Sequence, residues 1–281
     1  VNDSKKNSVE ESLVKTTTLG ELGFNLPLGI PDGGGGLVRS FALRPWRFKE
    51  EKELAELIEQ NPDATLAQYV SMVVATLCSS IGPHDFSQMK WEEKLIVIGQ
   101  MWMGDVFFIY ITLRKEAIGN VISLAPKCPG CGRNFNFDGH LDSINVLTTE
   151  SVSNAQWEYK LNTPIEMRGK TVGSFTLGPP RWNTLEMMTD DNSVLNVGAK
   201  LDMIRGSIHA VDSFDQQIVV IESDLDELTK KDMETISAEI DEKVVGPDMF
   251  VETKCPNIRC RNEIKQLIDW RYQHFFGVSS R

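Results

Sequence analysis

The sequence predicts an α+β protein: an N-terminal helical bundle, a zinc-ribbon-like unit made of two cysteine knuckles, and a β/α insertion between the knuckles. Three observations predict it. Apolar residues recur at helical spacing over most of residues 48–117. After Gly119 the texture turns to short β-prone runs separated by Gly and Pro turns. Two loops that both open Lys-Cys-Pro, "KCPGCGRNFNF" (residues 127–137) and "KCPNIRCRNEIKQL" (residues 254–267), frame the second half of the chain.

Taken in order, residues 1–40 read as a flexible arm rich in Ser, Thr, Lys, Glu and Gly, with "PDGGGG" (residues 31–36) as its hinge. No Gly-Lys-Ser/Thr follows the glycine run, so it reads as a linker and not as a phosphate cradle. Residues 41–118 form the helical domain. Residues 41–48 alternate like an edge strand broken by Pro45. A helix then starts at Lys49, with Leu54, Leu57 and Ile58 on one face, and stops at Asn61-Pro62. The next is capped by Asp63 or Thr65 and buries Leu66, Tyr69, Val70, Val73, Val74 and Leu77. A third helix covers residues 91–103. Gly104-Asp105 punctuates it, and a fourth runs to about Ala117. Four helices of this length suit a compact bundle.

Residues 119–142 and 247–270 form the ribbon-like unit, each a strand, a cysteine loop and a strand. The inserted region, residues 143–246, is strand-like to residue 178. It then turns helical around residues 182–188, 194–208 and 225–242. Residues 271–281, "RYQHFFGVSSR", are an aromatic tail.

The 281 residues are 41% hydrophobic and 25% charged, an ordinary soluble composition. A net charge of -11 argues against a general nucleic-acid binder, which needs clustered cations for phosphate. The richest apolar stretch, "VFFIYITL" (residues 106–113), is too short for a bilayer and is followed by "RKE", so it reads as a buried helix. The first residues lack the apolar core of a signal peptide, and the cysteine count, five, is odd; both suit a reducing cytoplasm.

Cys128 and Cys131 are spaced C-x2-C, and Cys255 and Cys260 are spaced C-x4-C. Each loop aims two sulfurs at one point. Together they supply a closed four-cysteine shell for structural zinc, with no position open to substrate. Lys127, Arg133, Lys254, Arg259 and Arg261 would offset the net charge of about -2 of such a centre. A disulfide network, a thioredoxin-like redox pair and four unliganded thiols are the competing readings. The redox motif needs a helix after the loop, whereas "GRNFNF" is β-like. Cys78 lies on a buried helix stripe, as a small hydrophobe.

His84-Asp85 has no Ser or Cys nucleophile in a recognisable elbow, and His140, His209 and His274 lack metal spacing. The acidic run at residues 222–242 lacks the pattern of a calcium loop and reads as a solvated helix face. No catalytic constellation emerges, so the chain is not expected to be an enzyme. A zinc ribbon that binds nucleic acid through Arg259, Arg261, Lys265 and Arg271 is a second function class.

Four features carry a family resemblance: "LRPWRFKEEKELAE" (residues 43–56), "GDVFFIYITLR" (residues 104–114), the Cys-Pro-x-Cys-Gly knuckle at 128–132, and a second Cys-Pro knuckle shortly before Phe275-Phe276. Together they make residues 40–281 resemble the baseplate hub and hub-assembly proteins of T-even-like contractile-tailed phages and related contractile injection systems. The second knuckle departs from the pattern in its C-x4-C spacing and in lacking a glycine after its last cysteine. The resemblance implies a non-enzymatic part of the tail baseplate, assembled in the host cytoplasm and present in the virion, or a transient assembly factor absent from the mature particle. Its partners would be other baseplate and tail proteins, with no small-molecule substrate and no membrane. Trp270, Phe275 and Phe276 are the candidate interface anchors, since aromatic side chains dominate hot spots.

Overall fold

The computed structural model describes residues 14–34, 36–188, 197–214, 218–270 and 276. Its elements run β1 (Val14–Thr18), α1 (Leu19–Leu22), β2 (Asn25–Pro31), β3 (Leu37–Leu43), α2 (Phe48–Gln60), α3 (Leu66–Leu77), β4 (Cys78–Ile81), β5 (His84–Asp85), α4 (Trp91–Gln100) and α5 (Met103–Ile118). The ribbon and inserted region begin with β6 (Val121–Leu124), β7 (Phe137–His140), β8 (Asn145–Thr149), β9 (Trp157–Met167) and β10 (Lys170–Leu177). There follow α6 (Trp182–Met187), α7 (Val197–Ser207), β11 (Ile208–Val211), α8 (Lys230–Lys243), β12 (Gly246–Pro247), β13 (Phe250–Lys254) and β14 (Glu263–Leu267).

The mixed α+β class holds, but the leading part is not a free-standing helical bundle. The four predicted helices are present as α2 to α5. They share their core with an antiparallel sheet of order β2-β3-β4-β5. Thr65, not Asp63, caps α3: its Oγ1 accepts the Gln68 N–H at 3.3 Å, and Gln68 Oε1 accepts the Thr65 N–H at 2.9 Å. The "VFFIYITL" stretch is a buried helix as expected, with Val106 and Phe108–Thr112 all at most 1% exposed along α5.

The predicted arm is corrected over every residue from 14 on that the structure describes. Leu19, Leu26 and Leu28 are fully buried, and β1, α1, β2 and β3 are folded elements; residues 1–13 lie outside the described residues. β3, read from sequence as an edge strand over 41–48, spans Leu37–Leu43 and lies inside its sheet, paired on both sides. The glycine run turns the chain between β2 and β3, where Asp32 Oδ1 accepts the N–H groups of Gly34 at 2.7 Å and Gly36 at 2.9 Å.

Residues 143–246 are likewise not a self-contained block. The two ends of the insertion pair with each other and with the N-terminal segment, in the antiparallel order β1-β8-β12. α6 turns back onto the helical core: Trp182 is fully buried, and its Nε1 donates to Ser71 Oγ at 2.8 Å. What remains is a lobe with its own core. The β9-β10-β11 sheet buries Tyr159, Ile165, Val172 and Phe175 against Ile204 of α7 and Ile236 and Ile240 of α8. Asp232 ties α8 to this sheet by accepting from Tyr159 Oη, Asn162 N, Asn162 Nδ2 and Thr229 Oγ1. Burial alone would raise its pKa, but these donors hold it at about 2.

The parts meet at the start of α5. Asp105, 1% exposed, accepts the N–H of Leu28 at 2.9 Å and of Gly29 at 2.8 Å, which fixes β2 across the helix terminus. Gly104 faces the return of the inserted lobe. A Cβ there would overlap the Val245 carbonyl oxygen and lie 2.7 Å from Gly246 Cα. Trp102 carries the Arg181 guanidinium 3.3 Å over its ring and stacks with His209 of β11 at 6.0 Å.

Two outcomes follow from this junction. Gly104→Ala should lose about 3 kcal/mol or more by urea denaturation, since backbone on the facing segment must move. Burial raises the Asp105 pKa to about 6, with the two amides, Arg39 and Arg181 offsetting part of the rise. A folded-state pKa above the unfolded value means the native state binds the proton more tightly. The Asp105 contribution should therefore fall by roughly 3 kcal/mol as pH rises from below about 4 to above about 6. Comparison with Asp105→Asn across that window should show the wild type losing stability relative to the variant.

Candidate metal centre

Both cysteine loops sit at the tips of β-hairpins. β6 and β7 pair antiparallel below the first, and β13 and β14 below the second. The hairpins lie side by side: a Cβ on Gly139 would be 3.1 Å from Val251 Cγ1. Their roots belong to the main core through Ile122, Leu141 and Ile268, so the tips are presented by fixed stems.

Each loop is closed by its own backbone. Cys128 N–H donates to Arg133 O at 2.9 Å, and Gly132 N–H donates to Cys128 O at 2.8 Å. In the second loop Cys255 N–H donates to Asn262 O at 2.9 Å, while Cys260 and Arg261 both donate to Asn257 O, at 2.8 and 3.0 Å. Gly132 has φ +71° and Arg261 has φ +46°. The residue after the second cysteine is thus left-handed in both loops. Arg261 adopts the conformation that glycine supplies in the first, and the longer loop reaches the same shape.

The four sulfurs converge. All lie within 4.8 Å of one another, with Cys128 Sγ 3.7 Å from Cys260 Sγ and Cys131 Sγ 3.6 Å from Cys255 Sγ. An ion bound tetrahedrally at about 2.3 Å requires sulfur–sulfur edges of about 3.8 Å, so the cluster has the size to hold a metal ion. The close pairs join one loop to the other, and none of the cysteines is in a disulfide. The redox alternative fails on its own structural requirement, because β7 and not a helix follows the first loop.

The electrostatics point the same way. The Arg133 backbone N–H holds the Cys131 thiol down at about 7. At Cys255 the Asn257 N–H favours the thiolate, yet burial and the three neighbouring thiols push the pKa up to about 12. Four adjacent sulfurs cannot all ionise without a cation among them. Cys128 and Cys255 are buried with Ile264 and beside Phe135, while Cys131 is exposed.

The family model for the T4 bacteriophage base plate protein matches residues 25–276, from the first residue of β2 through both cysteine loops to Phe276. The chain belongs to the T4 bacteriophage base plate protein family. No curated protein and no solved structure matches it.

In this base plate protein the predicted aromatic anchors turn inward. Phe276 is 6% exposed, packed against Trp46 at 4.9 Å and Tyr110 at 5.3 Å between ring centroids. Trp270 meets Phe107 edge-on at 5.2 Å, and its carbonyl accepts from Tyr110 Oη at 3.1 Å. Both therefore serve the chain's own core, because α5 presents Phe107 and Tyr110, which Trp270 and Phe276 cover. Phe275 lies outside the described residues, as do His274 and Arg271. Of the proposed nucleic-acid patch, Lys265 is paired with Asp248 at 3.0 Å.

The remaining candidates are accounted for locally. Asp85 Oδ1 accepts from Ser87 N and Oγ, so it does not orient His84 as a catalytic base. Cys78 is fully buried, and burial pushes its thiol pKa up. Sequence reasoning missed Asn257, whose carbonyl organises the second loop and whose Oδ1 accepts the Arg259 N–H at 3.1 Å. Its place directly after Cys-Pro, where asparagine favours turns, was the available signal.

Arg261 gives a direct test of the second loop. Arg261→Gly should be neutral or stabilising by up to about 1 kcal/mol, whereas Arg261→Val should cost about 1–3 kcal/mol, read from thermal melts.

Proposed function

We propose that this chain is a non-enzymatic structural subunit of a contractile tail baseplate, at the hub or beside it, shaped by one zinc ion on Cys128, Cys131, Cys255 and Cys260. Its partners are other baseplate and tail proteins. It is assembled in the host cytoplasm and retained in the virion. The family match across residues 25–276 carries the baseplate reading. Convergence of four cysteines from two hairpins supports the ion. An all-sulfur tetrahedral shell favours zinc among common cytosolic ions, and a shell filled by protein leaves no position for substrate. Lys127, Arg133 and Arg259 stand exposed around it and offset the excess thiolate charge.

Elemental analysis of the purified chain should return about one zinc per chain, following from four protein ligands per ion. Cys128→Ser and Cys255→Ser should each lose the metal and lower the melting temperature. Full melting stability in both variants would remove the structural zinc. Quantitative mass spectrometry of mature particles should find the chain at a fixed ratio to known baseplate subunits. Presence in assembling lysate with absence from particles would instead assign it as an assembly factor.

A further inference from the structure

A second site is a cavity of about 370 Å³ beside β2 and the start of α5. Ile30, His84, Gln100, Trp102, Arg181 and Asn183 line it. Among the described residues Arg181 is the one arginine or lysine that lines it. The guanidinium lies 3.3 Å over the Trp102 ring, and one nitrogen, Nη1, donates to Gln100 O at 2.6 Å. Asp105 attracts it through space, but both Asp105 oxygens are taken by the amides of Leu28 and Gly29. No carboxylate among the described residues forms an ion pair with Arg181 within 4.0 Å, in contrast to Arg168, which is closed by Asp224 at 2.6 Å. Burial pulls the Arg181 pKa down to about 10, with Asp105 offsetting part of the fall. Arg181 lines the cavity, and none of its nitrogens is both buried and unpaired.

We propose that this cavity is a docking site for a glutamate or aspartate side chain on an acidic segment of a neighbouring tail protein, with Arg181 as the recognising residue. The identity of the neighbour as a tail protein rests on the baseplate reading; the chemistry of the site does not. A planar guanidinium held flat on an indole presents its donors in a fixed fork that matches a carboxylate. Asn183 and Gln100 supply amides beside it, and Ile30 offers an apolar wall for the stem of the incoming side chain. A phosphate dianion fits less well. There is one arginine, Asp105 stands behind it, and the chain as a whole carries -11. The volume is at the small end of ligand pockets, which run from about 300 to 1,000 Å³, and suits one side chain with its backbone better than a nucleotide.

The test uses the purified full-length chain and two tripeptides, N-acetyl-Ala-Glu-Ala-amide and its Gln counterpart. The readout is the Arg181 Nε–H resonance, assigned by its absence from Arg181→Lys. The Glu peptide should shift that resonance with saturation in the millimolar range, and the Gln peptide should bind at least about tenfold more weakly, the loss expected of an ionic partner. Arg181→Lys, followed through the indole N–H resonance of Trp102, the ring on which Arg181 lies, should weaken binding about tenfold, since an ammonium lacks the fork. Asn183→Ala, which keeps the Arg181–Trp102 stack, should weaken it severalfold and guards against misfolding of the arginine variant. Equal response to both peptides, no response to either, or stronger competition by inorganic phosphate than by acetate would overturn the proposal. Binding of the Glu peptide by a chain that is missing from particles would uphold this site and overturn the reading of the chain as a structural subunit.

Discussion

One turn of backbone, Trp102 to Asp105, holds the rest of the molecule in register. Asp105 fixes two amides of β2, more than seventy residues earlier in the chain. Gly104 lets the returning strand β12 pass at backbone contact distance, and Trp102 sits between Arg181 and the inserted lobe's His209. Burying a carboxylate against apolar surroundings is costly, and the upward shift of its pKa measures that cost. The return is geometric. A single side chain accepting two consecutive N–H groups leaves β2 one position on the helix terminus, and β2 in turn sets the sheet on which α2 to α5 pack.

The same junction changes what a metal at the four cysteines has to do. From sequence, a tie between residues 128 and 260 closes a long loop, the situation in which a cross-link removes most chain entropy. In the fold that loop is already closed at its neck by β8 pairing with β12. A metal ion at the proposed site would be left with a local task. The hairpin tips have almost no apolar core of their own, only Cys128, Cys255 and Ile264 with Phe135 beside them. Small units of this kind are where a structural ion contributes most to order.

Legibility in the sequence tracks the range of the interactions. α3 and α5 announce themselves because periodicity and the Thr65 cap are local, and the cysteine loops because chemistry is concentrated in a few adjacent residues. The N-terminal strands do not. β1 pairs with β8 across more than a hundred residues, and Leu26 and Leu28 are buried by partners far along the chain, so composition alone reads as linker. Trp182 has the same character: its bond to Ser71 assigns α6 to the helical core although the sequence places it inside the insertion. The inward turn of Phe276 was hidden because an aromatic tail has the same composition whether it meets a partner or its own helix.

That inward turn shifts the question of docking from aromatic anchors to charge. A chain of -11 repels copies of itself and other acidic proteins, which favours solubility before assembly. Against this background the exposed cations Lys127, Arg133 and Arg259 place positive charge on the two cysteine loops, with Ile258 79% exposed beside them. Arg181 does so again in its cavity, where desolvation makes the charge more selective than it would be on an open surface. Complementary charge contributes to specificity and encounter more than to raw affinity. Two separated positive features on an acidic body therefore constrain orientation as well as partner. On the proposed docking at Arg181, a neighbour with acidic groups at both places would gain an attraction that one with a single such contact lacks, and the repulsion of the remaining surface would penalise the second.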